Sequence, residues 1–112
     1  LLAVLDGCDG ACLDVLDFGV IRMDRALTVA GFNRTGIEMT GLTPERVLGR
    51  PFFSAVAPCM NNVLVAGRFA AEPELDAMVE YVLTFRVRPE AARLRLLASV
   101  GSANMYLLMQ RA

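Results

Sequence analysis

The 112-residue chain contains no histidine, no lysine and no tryptophan. These absences remove Ser-His, Cys-His and Ser-Lys pairs, the lysine of pyridoxal phosphate enzymes and of P-loops, and any histidine-ligated metal or haem. The chain is therefore expected not to be an enzyme. Basic runs are missing too. The 11 arginines are scattered and the net charge is −1, so no electrostatic surface for nucleic acid is expected. A long apolar run is also lacking. One long uncharged stretch, Leu96 to Gln110, is broken by Gly101-Ser102-Ala103-Asn104, a turn signal that reads as a hairpin and not as a membrane span. Cysteine is scarce, with three residues and no CxxC, which indicates neither a disulfide scaffold nor a zinc site. Cys8 and Cys12 lie four apart, on one face of a helix, and are expected to be small apolar residues facing the core. The N-terminal stretch has neither the basic start nor the long apolar core of a signal peptide. It reads as a trimmed helix, and a cytoplasmic location follows by default.

Apolar content, by contrast, is high. Hydrophobic residues make up 55% of a chain long enough for one core. A partner that covers part of this surface is expected, with a second copy in a homodimer as the default.

Along the chain, "FGVIRMD" from Phe18 and "LTVAGF" from Leu27 suggest an opening hairpin. Asn33 can cap the next turn. Thr43 followed by Pro44, Glu45 and Arg46 is a helix start, ended by Gly49 after about two turns. Val63, Val65 or Ala66, Phe69 and Ala70 recur at helical spacing and predict a longer connecting helix that ends near Glu72-Pro73. After that the period changes. Arg86, Arg88, Arg93 and Arg95 alternate with apolar neighbours, predicting a three-stranded meander with one wet face. The fold class is α+β, a five-stranded antiparallel sheet with helices packed on one face. Residues 1–112 form one domain, divided into an N-terminal helical cap over 1–17 and a core over 18–112. Gly7 and Gly10 weaken the cap as a helix, which can equally be two short turns.

This order, with a Gly-x-x-Phe-Phe step before the connecting helix, resembles that of PAS domains. The stretch "GRPFFSAVAPCMNN" from Gly49 to Asn62 resembles the photoactive yellow protein family, with Phe52, Phe53, Val56, Ala57, Pro58, Cys59, Gly67 and Phe69 in register. The resemblance implies a sensory or signalling role and makes Cys59 the candidate attachment point of a chromophore. In that family the matching cysteine carries p-coumaric acid as a thioester, its buried phenolate hydrogen-bonded by a Tyr and a Glu. A Thr supports the Tyr and an Arg covers the pocket. The matching positions here hold Phe32, Gly36, Thr40 and Leu42, so only the Thr is kept.

A buried phenolate would lose both short charge-assisted bonds, each worth ~1.5 to 3 kcal/mol. No normal p-coumarate photocycle is therefore expected. The resemblance places Ile21, Phe32, Gly36, Thr40, Leu42, Phe52, Val56, Ala57, Met60, Leu83, Phe85 and Val87 around the pocket. Gly36 in place of Glu is expected to enlarge it, leaving an apolar site for another small ligand or one refilled by neighbouring side chains. Cys59 is read either as the acceptor of a hydroxycinnamoyl-type thioester or as a buried structural thiol. The rival readings are a ligand-free dimerisation or protein-interaction module, a true chromophore-binding photoreceptor, and an acyl carrier on Cys59. Phe52 and Phe53 are expected to pack the core. The arginine pairs are read as a solvated sheet face that could also meet an acidic partner.

Overall fold

The computed structural model describes residues 1–111. Two short helices, α1 (Leu2–Asp6) and α2 (Gly10–Asp14), precede the hairpin β1 (Gly19–Met23) and β2 (Val29–Phe32). Helices α3 (Arg34–Thr40) and α4 (Pro44–Val47), a π-helical turn at Phe52–Val56, a 3-10 turn at Pro58–Met60 and helix α5 (Ala66–Ala71) follow. The chain closes with β3 (Leu75–Leu83), β4 (Glu90–Ala98) and β5 (Met105–Arg111). All pairings are antiparallel and the strand order is β2-β1-β5-β4-β3, so the first strand inserts beside the last.

Two apolar clusters lie on opposite faces of this sheet. On the inner face Ile21, Met23, Leu94, Leu96, Met105, Leu107 and Met109 pack against Met39, Val47, Phe52, Phe53, Met60 and Phe69 from the helical side. On the outer face Val20, Leu97, Tyr106 and Leu108 are covered by Leu5, Cys8 and Leu13 of the cap. Strand β5 is therefore buried on both sides, and Met105 to Met109 are all buried. Strand β3, at the edge, has Leu75 and Leu83 buried while Asp76, Met78, Glu80 and Val82 are exposed. Helices thus cover both faces, α3 to α5 on one and the cap on the other.

Three expectations change in detail. The connecting helix is six residues long because Asn62 Oδ1 accepts the Leu64 and Val65 N–H groups, holding Val63 to Val65 in a turn. Helix α4 is a single turn, with Thr43 at the N-cap position, and Gly49 follows at φ 77°. Arg86 and Arg88 lie in the hairpin loop between β3 and β4, not on the sheet.

The cap is held mainly by polar contacts. Asn33, 1% exposed, caps α3 by accepting the Gly36 N–H at 2.9 Å on Oδ1. The same oxygen accepts the Val20 N–H at 2.8 Å, while Nδ2 donates to the carbonyls of Leu13 at 2.8 Å and Phe18 at 2.9 Å. At the other end of the cap, Arg22 Nη2 donates to the carbonyls of Leu5 and Cys8, at 2.6 and 2.8 Å, and Nε donates to the Tyr106 hydroxyl at 3.0 Å. That hydroxyl donates to Asp6 Oδ1 at 2.6 Å, and the Asp6 carboxylate also accepts from Ser102 Oγ and Asn104 Nδ2. Burial alone would raise the Asp6 pKa, but the bonds from Ser102, Tyr106 and Asn104 and the Arg22 charge leave it below the ordinary value. Burial, followed by the bond to the Asp6 carboxylate, pushes the Tyr106 phenol up to about 12.

Two predictions follow from this polar seam. Asn33→Ala strands two N–H groups and two carbonyls in a dry place and should lower the unfolding free energy by roughly 3 kcal/mol in urea titrations. A loss under ~1 kcal/mol would contradict the role given to the carboxamide. The Tyr106 pKa is raised on folding, so its contribution is complete below the ordinary value of 10.0 and is lost as pH rises through about 12. Stability measured across that window should fall more steeply for the wild type than for Tyr106→Phe, and parallel curves would refute it.

Candidate functional site

Helix α3 crosses β1 where two glycines meet. A Cβ built on Gly19 would lie 3.2 Å from Gly36 Cα and 2.9 Å from Met109 Cε, so the helix backbone rests directly on the strand. A Cβ on Gly36 would lie 2.7 Å from Phe32 Cε1, and 3.1 Å from both Phe32 Cδ1 and the buried Asn33 Oδ1. A 2.7 Å contact of a Cβ with a ring carbon is essentially never found in proteins, so the Phe32 ring occupies the direction a side chain at position 36 would take. The expected enlargement of the pocket at Gly36 does not occur, because Phe32 fills the space that Gly36 opens.

Around this point Ile21, Phe52, Ala57, Met60 and Leu83 are buried in the inner core, with Phe32, Leu42, Val56 and Phe85 packed against it. Gly36 and Thr40 are buried on α3. The Thr40 hydroxyl turns back along the helix, donating to the Gly36 carbonyl at 2.8 Å and accepting the Leu42 N–H at 3.2 Å. Val87 departs from the expected set: it is fully exposed at the tip of the β3–β4 hairpin.

Cys59 lies in the 3-10 turn Pro58–Met60 and is a free, exposed thiol, not a buried one. Its neighbour Met60 is the residue that fills the core, 0% exposed. The preceding π-helical turn explains this. It closes with the Ala57 N–H on the Phe52 carbonyl at 2.7 Å, burying Phe52 and Phe53 edge to face with centroids 4.9 Å apart and turning Ser54 and Ala55 outward. The turn that carries Cys59 is then fixed by Tyr81, whose hydroxyl donates to the Cys59 carbonyl at 2.7 Å. Asn62 Nδ2 donates to that carbonyl at 3.2 Å and to the Tyr81 hydroxyl at 2.8 Å.

Tyr81 and Asn62 were not anticipated as residues that position this turn. For Tyr81 a signal existed, since it stands two residues from Leu83 on the inward register of β3. Arg86 was also missed. From the hairpin loop its Nη2 donates to the Glu38 carbonyl at 2.5 Å, and its guanidinium carbon would lie 3.3 Å from a Cβ on Gly41, the left-handed cap of α3 at φ 73°. A cation thus sits on the C-terminal carbonyls of α3, where the helix dipole favours it, next to uncharged Leu42. Arg93 and Arg95 are paired on the outer face with Glu80 and Asp76. These pairs leave less unpaired positive charge for an acidic partner than the bare sequence suggests.

The sheet order, the helical side and the tethered Cys59 turn define a PAS domain, a class of sensory and signalling modules. The PAS domain of an HTR-like protein from Haloarcula marismortui shares this fold, with a TM-score of 0.67 and 13% identity over 100% of both chains. The photoactive yellow protein of Rhodothalassium salexigens is 31% identical over 104 residues, 90% of this chain and 83% of that protein. The photoactive yellow protein domain of the sensor histidine kinase Ppr from Rhodospirillum centenum superposes with a TM-score of 0.89 at 31% identity, covering 99% of this chain and 100% of that one. The chain belongs to the photoactive yellow protein family. No family model matches it. Among the described residues, no helix is long and apolar enough to cross a membrane.

The contact between Phe32 and Gly36 can be measured. Gly36→Ala gains about 1 kcal/mol of helix propensity but forces the ring aside, and should be net destabilising in the wild type. Combined with Phe32→Ala, the cost should shrink, giving a coupling energy of at least ~1 kcal/mol in a double-mutant cycle. Additive effects would show that the ring does not occupy this space.

Proposed function

We propose that this sensory domain works without a buried phenolate, its core closed by its own side chains, and that it signals by association and not by catalysis. The packing of Phe32 against Gly36 carries the reading. An anion placed there would find no donor from either residue and would stand uncompensated in an apolar core. The exposure of Cys59 supports the same view, because its thiol is outside the core that Met60 fills. Thr40 adds nothing toward a phenolate, since its hydroxyl is spent on α3 itself. The cap over residues 1–17 is joined to the core that follows it through Asn33 and Arg22. The likeness to a domain of a sensor histidine kinase favours a downstream signalling protein as the partner, with a second copy as the other candidate.

The test is to supply activated p-coumarate during expression and record intact mass and absorption. We expect no strongly coloured, photobleachable species, whether or not Cys59 acquires an adduct. Intense visible absorption that bleaches in light would overturn the proposal. Phe32→Tyr with Gly36→Glu restores the two polar groups together, and is the variant in which a deprotonated phenol should first be stabilised. With or without Phe32→Tyr, a Glu at position 36 needs the ring at 32 to turn aside, so both variants should fold less well than the wild type.

A further inference from the structure

The structure joins Cys8 to Cys12 by a disulfide, correcting the expectation of two independent apolar thiols. The reason lies in how the cap folds. Helix α1 stops at Asp6 with Gly7 as its C-cap, and Asp9 starts a new helix by accepting the Cys12 N–H on Oδ1 at 2.9 Å. This corner brings the two Cα atoms to 5.2 Å, within reach of a disulfide. We propose that this bond is a redox-responsive fastener that sets whether the N-terminal cap stays docked on the outer face of the sheet. The proposal is independent of whether the inner core takes a ligand.

Three observations support it. The bond spans a sequence separation of only 4, so it closes too small a loop to act mainly as a global staple and instead constrains one local corner. That corner supplies the cap's anchor: the Leu5 and Cys8 carbonyls, on either side of Gly7, are the two acceptors of Arg22 Nη2. Without the bond, two five-residue helices flanked by Gly7 and Gly10 are too short to persist by themselves, and the paired acceptors lose their fixed spacing. The bond is also reachable, since Cys12 is exposed while Cys8 is buried.

Reduction by a dithiol balances simply. One thiolate of the reductant attacks Cys12 Sγ, and Cys8 leaves as a thiolate and takes up a proton. The second thiolate of the reductant then attacks the mixed disulfide, releasing Cys12, which is protonated in turn. The protein gains two electrons and two protons, and the reductant becomes a disulfide. Loosening the cap would expose Val20, Leu97, Tyr106 and Leu108, the apolar outer face that it covers.

The experiment uses the whole chain. Alkylation under denaturing, non-reducing conditions should add one label, on Cys59, to protein prepared in air without added thiols or disulfides, and three after treatment with a dithiol. Three labels under both conditions would overturn the proposal. Hydrogen exchange then reads the cap. Amides of α1 and α2 should exchange about five-fold faster or more in the reduced protein, with β4 and β5 changed less than about two-fold. Cys12→Ser, a change at an exposed position, should match the reduced protein with or without the dithiol. Equal protection of the cap in oxidised, reduced and Cys12→Ser protein would show that the bond does not fasten it.

Discussion

Asn33 stands where β2 passes into α3, and its carboxamide touches the cap, the sheet and the helical side at once. Its oxygen starts α3 and closes on the backbone of β1, while its nitrogen holds the chain that leaves the cap. Every later element depends on this placement. The position of α3 over β1 sets the contact between Gly19 and Gly36, and that contact sets the place left for Phe32. Because the oxygen is buried and takes two N–H groups, it cannot retreat to make room for a side chain at position 36. The capping bond and the emptiness at Gly36 are two sides of one packing solution.

The same linkage explains why the apolar content is so high. A sheet covered on one face shows alternation, as edge strand β3 does, and a sheet covered on both faces does not. Strand β5 is sandwiched between the helical core and the cap, and its run of Met105, Tyr106, Leu107, Leu108 and Met109 is apolar throughout for that reason. Much of the excess that suggested a covering partner is therefore used within the chain. Tyr106 brings a hydroxyl into this sandwich, and the groups that meet it, Arg22 and Asp6, join the cap to the central strands. The arginine lies 5.5 Å from the ring centroid of the same tyrosine, so its cation is held by the ring as well as by the hydroxyl.

How much could be read from the sequence follows from which features are local. Asn33 as a cap, the turn at Gly101 to Asn104, and Thr43-Pro44 depend on neighbours in the chain and were legible. So was the five-stranded order, from period and turns. The site was legible only where a motif named it, as with the Phe52-Phe53 step and the Cys59 frame. What escaped depends on contacts across the fold. The exposure of Cys59 comes with a π-helical turn at Phe52–Val56, which no local pattern announces. The ties of Tyr81 and Arg86 run across 22 and 48 positions. The helical period at Val63 to Val65 was real as a pattern, but Asn62 competes for the N–H groups the helix would have needed.

The replacements at Phe32 and Gly36 are best understood as a pair. Read singly, an aromatic ring without its hydroxyl is a small loss, and a glycine is a vacancy. Together they fit each other: with glycine at 36 the ring settles against the helix, in the direction that a side chain at 36 would take. Reversing Gly36 alone sets a side chain against the ring as it lies, and reversing Phe32 alone supplies one donor of two, so an anion-binding core needs both positions to change and the ring to turn aside. Thr40 and the Phe52-Phe53 turn are in place in this region, and neither Phe32 nor Gly36 offers a polar side-chain atom that would make a buried charge tolerable. What Asn33 holds in place is an apolar contact, and the polar chemistry of the domain has shifted to the opposite face of the sheet, where Arg22, Tyr106 and Asp6 meet the cap.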